Sequence, residues 1–145
     1  LIYNAITAHQ NDIAIYVIEK ALELGKYVSH RASENLIHCA RVGNLEIYSF
    51  LSSKGFEKVN NKFLSALFGW YRPENLDKKL EMVEYFLDHN MLDINPVGGK
   101  SDTYPVLFMV AQPYNGTFSI SMLRMLLEHG ANANVISNHN QANVL

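Results

Sequence analysis

The chain has very little cysteine and no long apolar run, and each shortage closes off a class of protein. Cys39 is the single cysteine among 145 residues. No disulfide can form within the chain, and a reducing compartment, the cytoplasm, is the expectation. No stretch of 18 consecutive apolar residues occurs, so no membrane partner is expected through a spanning helix. Charge of one sign is scarce too. The 12 Lys and Arg against 14 Asp and Glu leave a formal net charge of −2, and no window concentrates the basic residues. That is not the electrostatic footprint of a nucleic-acid binder. Leu1 opens the chain with neither an initiator Met nor a signal-peptide pattern, and the expectation is an excised piece of a longer protein.

What is present is the composition of one globular domain. Hydrophobic residues make up 48% of the chain and charged residues 18%, enough apolar material at this length to bury a core. One short motif needs a decision first. Gly98-Gly99-Lys100-Ser101 has the ending of a phosphate-binding loop. Such a loop needs another glycine five residues before Gly99, so that backbone N–H groups wrap the phosphates. That position holds Ile94. The "SDTYP" that follows reads as a turn and not as the start of a helix. Lys100 is therefore expected to be a solvated charge on a glycine-rich turn.

Four segments share one internal grammar. In "ENLIHCARVGNLEIYSFLSSKGF", residues 34–56, a short apolar stretch from Leu36 to Ala40 is closed by Gly43-Asn44. A second stretch places Ile47, Phe50 and Leu51 on one face at helical spacing and stops at Gly55, a residue suited to a left-handed C-cap. The phrase returns with Met82, Val83, Phe86 and Leu87 before Asn90, and with Leu123, Leu126 and Leu127 before Gly130. The first copy, "DIAIYVIEKALELGKYV", stops at Gly25. The stops at 25, 55, 90 and 130 recur at intervals typical of stacked helical pairs, each of which buries its apolar face only against its neighbours.

With these phrases on the page, the chain resembles the ankyrin-repeat family. Cys39-Ala40 stands at the family's paired alanines, Gly43-Asn44 at its Gly-His turn, and "GANAN" at 130–134 and "LDIN" at 92–95 at its closing phrase. Pro105 with Val106 or Leu107, followed by Ala111, keeps part of its start motif. No copy keeps the full Thr-Pro-Leu-His, and the turns around "WYRPENLDK" and "PYNGTFS" are enlarged. The resemblance implies an all-α solenoid of about four helix-turn-helix repeats with extended finger loops. It forms a single domain over 1–145, with approximate repeats 1–32, 33–61, 62–100 and 101–136 and the start of a further repeat at 137–145. Degenerate arrays of this style are similar to those of host-directed proteins of intracellular bacteria and viruses, which extends the expected location to a host-cell cytosol.

Chemistry finds little to build on. His89 and His129 precede the stops of equivalent helices, where a cation is favoured by the macrodipole. One repeat of separation keeps them too far apart to share a metal. His38 and Cys39 are adjacent, and neighbours on a helix do not face each other. Cys39 suits a small core position. Glu81 and Glu84 sit on helix faces expected to be solvated. No catalytic residue, metal, cofactor or small-molecule substrate is expected, and the fragment is not expected to be an enzyme.

The aromatic residues leave two readings open. Trp70, Tyr71 and Tyr114 fall in the enlarged turns, where they either pack on the helices beneath or serve as contacts for a protein partner. The family's implied function is binding another protein on the concave face made by fingers and first helices. The residues placed there by the repeat register are His30, Arg31, His38, Arg41, Val42, Trp70, Tyr71, Lys100, Gln112 and Tyr114. Two competing expectations are a substrate-recruiting module of a larger enzyme and a repeat stack that only supports its neighbours.

Overall fold

Single left-handed residues divide this chain into helices. The computed structural model describes residues 1–57, 59–69, 73–95, 106–111 and 119–133. The described residues form eight α-helices and no strand. They are α1 (Ile2–Thr7), α2 (Asn11–Glu23), α3 (Ser29–Val42), α4 (Leu45–Ser53), α5 (Asn61–Gly69), α6 (Leu76–Asp88), α7 (Val106–Ala111) and α8 (Ile120–Glu128), with one 3-10 turn at Pro73–Asn75. The fold class is all-α.

The stops at 25, 55, 90 and 130 are built alike. Gly25, Gly55, Asn90 and Gly130 all have positive φ, between 52° and 87°. At each, two backbone bonds tie off the preceding helix. Phe56 N–H donates to Leu51 O at 3.1 Å and Gly55 N–H to Ser52 O at 2.9 Å. Met91 N–H and Asn90 N–H repeat the pattern on Phe86 O and Leu87 O. This pairing satisfies carbonyls that a helix end otherwise leaves bare. The turn between α1 and α2 uses the same device without glycine, at His9 with φ 52°.

The helices fall into two rows. In one row α1 packs on α3, α3 on α5 and α5 on α7. In the other α2 packs on α4, α4 on α6 and α6 on α8. The rows are joined by the pairs α1–α2, α3–α4 and α7–α8, and α3 also touches α6. The apolar stripes meet between the rows, where Ile6, Ile18, Leu36, Ile47, Leu51, Phe63, Leu67, Met82, Phe86, Met122 and Leu126 are buried. Each such side chain contributes about 1.5–3 kcal/mol of burial. Tyr48, Phe63 and Phe86 form an aromatic knot, with ring centroids 4.9–5.7 Å apart. Cys39 is fully buried, as a small core residue.

Some expectations shift by a residue or more. In α8 the buried pair is Met122 and Leu126, one turn apart, while Leu127 stands 41% exposed. Of the expected stripe of Leu123, Leu126 and Leu127, Leu126 is buried and Leu123 packs partly buried against the core, so only Leu127 is turned outward. α3 begins at Ser29, so the expected division between residues 32 and 33 falls inside a helix. α5 likewise starts one residue before 62.

Two turns carry the structure between rows. Gly43 caps α3 in a left-handed conformation, φ 72°. Asn44 then caps α4 by accepting from Ile47 N–H at 3.1 Å. Its side-chain amide donates to Ile6 O at 3.1 Å and to Asn11 Oδ1 at 2.8 Å, so a buried polar group is satisfied on both sides. Further along, Asn95 Nδ2 donates to Gly130 O at 2.8 Å, and Asn132 N–H donates to Asn95 Oδ1 at 2.7 Å. "LDIN" and "GANAN" are thus joined directly by hydrogen bonds.

Candidate functional site

The row of odd-numbered helices carries a groove between α3 and α5. Its volume is about 360 Å³, and Ile37, Arg41, Asn61, Lys62, Ser65 and Ala66 line it. Helical spacing explains the lining. Ile37 and Arg41 are four residues apart on α3, as are Asn61 and Ser65, and Lys62 and Ala66, on α5, so each pair presents side chains one above the other. Ile37 and Ala66 supply apolar floor, Asn61 and Ser65 uncharged hydrogen-bonding groups, and Arg41 and Lys62 positive charge. Lys62 and Ser65 are exposed, while Arg41 is half-buried.

Behind the groove lies a lysine with no exposure at all. Lys79 of α6 is 0% exposed, and its Nζ donates to Ala66 O at 2.9 Å and Leu67 O at 3.2 Å. Those carbonyls belong to the last turn of α5, whose dipole attracts a cation. Burial, and after it the neighbouring Arg41 charge, nevertheless pull the ammonium down to about 7. The same guanidinium acts on His38.

His38 is 3% exposed. It stacks on Tyr3 with centroids 3.6 Å apart and sits 2.7 Å from Thr7 Oγ1. Thr7 donates its own proton to Tyr3 O at 2.9 Å, so the hydroxyl accepts from His38 Nε2–H. Nδ1 is buried with no hydrogen-bond partner among the described residues. Burial first, then Arg41, lower the imidazole to about 4. A hydroxyl beside an imidazole suggests a nucleophile and its base. This pair lacks a group orienting Nδ1, and the imidazole is far below the range of an effective base near neutral pH. The Cys39 thiol is pushed up by burial, which keeps it from becoming a thiolate.

The residues expected to face a partner divide into three groups. His30 and Arg31 are exposed in the first turn of α3, where His30 Nε2 lies 3.3 Å from Glu34 Oε1. Arg41 lines the groove. His38 and Val42 need correction as surface residues: Val42 is 5% exposed and His38 less. α3 packs against α1, α4, α5 and α6, and so much of its circumference is covered that both side chains face inward. Trp70, Tyr71, Lys100, Gln112 and Tyr114, together with the whole of residues 96–105, lie outside the described residues.

The sequence reading missed Lys62, Lys79 and the groove they adjoin. For Lys79 a signal existed, since it stands three and four residues before Met82 and Val83, on their apolar stripe. Lys62 carries no such mark.

His89 and His129 each have Nδ1 placed 2.8 Å from a carbonyl of the preceding turn, Tyr85 O and Met125 O. Among the described residues no three His, Cys, Asp or Glu side chains cluster to hold a metal ion. No described helix is long and apolar enough to cross a membrane. Compared with protein-family models, curated proteins and solved structures, the chain has no significant match.

Proposed function

We propose that this chain is an ankyrin-like repeat array that binds a protein partner on its odd-helix face and performs no chemistry of its own. The observation that carries the reading is the two-row packing with an identical left-handed stop after α2, α4, α6 and α8. The direct bonds between "LDIN" and "GANAN" link equivalent phrases of successive repeats, as stacked units require. A rigid scaffold of this kind binds with little loss of conformational entropy, and specificity comes from side chains that the core does not use. Arg31 and Lys62 are such side chains, and Trp70, Tyr71 and Tyr114 are the aromatic candidates. The cytoplasm is the proposed location.

The test is capture from a cytosolic lysate by the 145-residue chain, beside a variant carrying Trp70→Ala, Tyr71→Ala and Tyr114→Ala of equal helicity by circular dichroism. A partner held by the wild type and lost by the variant supports a binding module with its hot spot at the enlarged turns. A partner held equally by both moves the site to the rest of the odd-helix face. Capture of nothing by either chain counts against the binding reading and in favour of a supporting stack.

A further inference from the structure

Exposed apolar side chains are not spread evenly over this protein. Of the nine large ones among the described residues, six lie between Leu1 and Val28, at the α1–α2 end of the stack. None of the nine lies on α4 or α6, in the middle of the even-numbered row. Exposed positions there are held by Glu46, Lys78, Glu81 and Asp88. α2 is different. It buries Ala14 and Ile18 in the core, yet Ile13, Tyr16 and the C-cap residue Leu24 stand 47%, 61% and 66% exposed. At about 100° per residue these three and Lys20 fall within an arc of about 80°, and Ala14 and Ile18 lie on another side of the helix. α2 therefore carries two apolar stripes, and the fold covers one.

The uncovered stripe is complementary to itself. Along the helix it reads Ile13, Tyr16, Lys20, Leu24: apolar, aromatic, cation, apolar. The cation already favours the ring, since Lys20 Nζ sits 5.9 Å from the Tyr16 ring centre. Laid antiparallel on a second copy, about a twofold axis near residue 18, the stripe sets Ile13 against Leu24 of that copy and Tyr16 against its Lys20. The apolar pair and the cation–ring pair are then each made twice. Antiparallel helices also oppose their macrodipoles, whereas a parallel pairing would put Lys20 on Lys20. Asp12 and Glu23 flank the Tyr16 edge and repel across the axis, although Glu23 is also held by Lys20 of its own chain at 2.7 Å. α2 has 13 residues and is about 20 Å long. A contact of that length falls short of the roughly 800 Å² per partner of a stable interface, so the pair forms at high concentration and not in dilute solution.

We propose that the outer stripe of α2 is a homodimer interface, occupied by α2 of a second copy running antiparallel, with Ile13 against Leu24 and Tyr16 against Lys20. A second copy is selected over an unrelated helix because the stripe supplies both the ring and the cation, in the order that a twofold axis requires. α2 belongs to the even-numbered row, so the pairing leaves α3 and α5 uncovered. The dimer joins two odd-helix faces in one particle, and a partner offering two copies of its own site is then held by both. Nothing in the pairing itself depends on a partner at that face.

The test is sedimentation equilibrium on the 145-residue chain at concentrations up to about 1 mM. A shift from monomer to dimer is expected as concentration rises. Ile13→Glu combined with Leu24→Glu is expected to weaken dimerisation about tenfold or more. Both side chains are exposed, so the variant keeps its core, and circular dichroism checks that it is folded. Ile120→Glu combined with Leu127→Glu, at exposed apolar positions of α8, is expected to leave the dimer intact. Register is read by cross-linking. Chains carrying Ile13→Cys, mixed with chains carrying Leu24→Cys and oxidised, are expected to give mainly mixed disulfides, with the buried Cys39 out of reach. A monomer at every concentration, a dimer indifferent to the α2 variant, or disulfides that join like chains as often as unlike ones overturn the proposal. Growth beyond a dimer, or loss of association in the α8 variant, overturns the twofold in favour of end-to-end stacking.

Discussion

Gly43 and Gly55 close successive helices with the same left-handed backbone, and their surroundings differ completely. A Cβ placed on Gly55 meets nothing within 4 Å. A Cβ placed on Gly43 lies 2.6 Å from Lys78 C and 2.6 Å from Lys79 N, both backbone atoms of α6. One glycine is there for its φ alone. The other also makes room for a neighbouring helix, and that close approach seats Lys79 behind the α5 carbonyls. The comparison separates two demands that look identical in the sequence: a local one on conformation and a tertiary one on space.

Breaking the tertiary demand is expected to have the largest effect. Gly43→Ala carries the left-handed cost of about 1–2 kcal/mol and an overpacking cost of about 1–3 kcal/mol, together roughly 3 kcal/mol by urea denaturation. Because α6 backbone cannot retreat without moving Lys79, no side-chain rearrangement offers relief. A loss no greater than that of Gly55→Ala would show that α6 is free to shift away.

The lysine seated by that approach gives the second prediction. Lys79 is lowered in the folded state to about 7 from 10.5. Between these values the unfolded chain holds a proton that the folded chain does not, so stability rises with pH across this window and levels off below about 7. One proton gives at most about 1.4 kcal/mol per pH unit, and a gain of about 2 kcal/mol from pH 7 to 9 is expected. Urea midpoints measured at several pH values check the sign. Lys79→Met, which keeps the volume and removes the titration, is expected to flatten the rise; a rise unchanged in that variant assigns it to another group.

The smallest effect belongs to the local demand. Gly55→Ala is expected to cost about 1 kcal/mol, the left-handed penalty without a clash. Gly55→Asn is expected to cost less, because Asn90 already occupies the equivalent stop with φ 52°. Parallel thermal melts of the two variants rank them, and an alanine variant as stable as the asparagine one would remove the conformational argument.

The helix stops were legible because each depends on one residue's φ and on carbonyls within a single turn. Asn90 could be matched with the three glycines for that reason, and Cys39 could be placed in the core from its position among Leu36 and Ala40. His38 and Val42 were misplaced because an isolated α3 has an exposed strip at those positions, which the packing of α1, α5 and α6 around it covers. In α8 the choice between Met122 and Leu123 as the inward residue turns on a small rotation about the helix axis. An apolar run such as "SMLRMLL" does not specify that rotation, since either face is apolar.

The groove was illegible for a related reason. Ile37 and Arg41 are ordinary residues of one helix, and Asn61, Lys62, Ser65 and Ala66 are ordinary residues of another some twenty positions away. Only the packing of α3 on α5 sets them around one space. By itself the sequence determined that the chain is helical, where most of its helices end and which short segments are their turns, because those properties arise from spacing and from backbone preferences of single residues. The tertiary structure alone decided that Lys79 lies inside, that His38 is shielded by Tyr3 and that Arg41 and Lys62 share a groove, because burial and shared electrostatic fields depend on which helices are brought together.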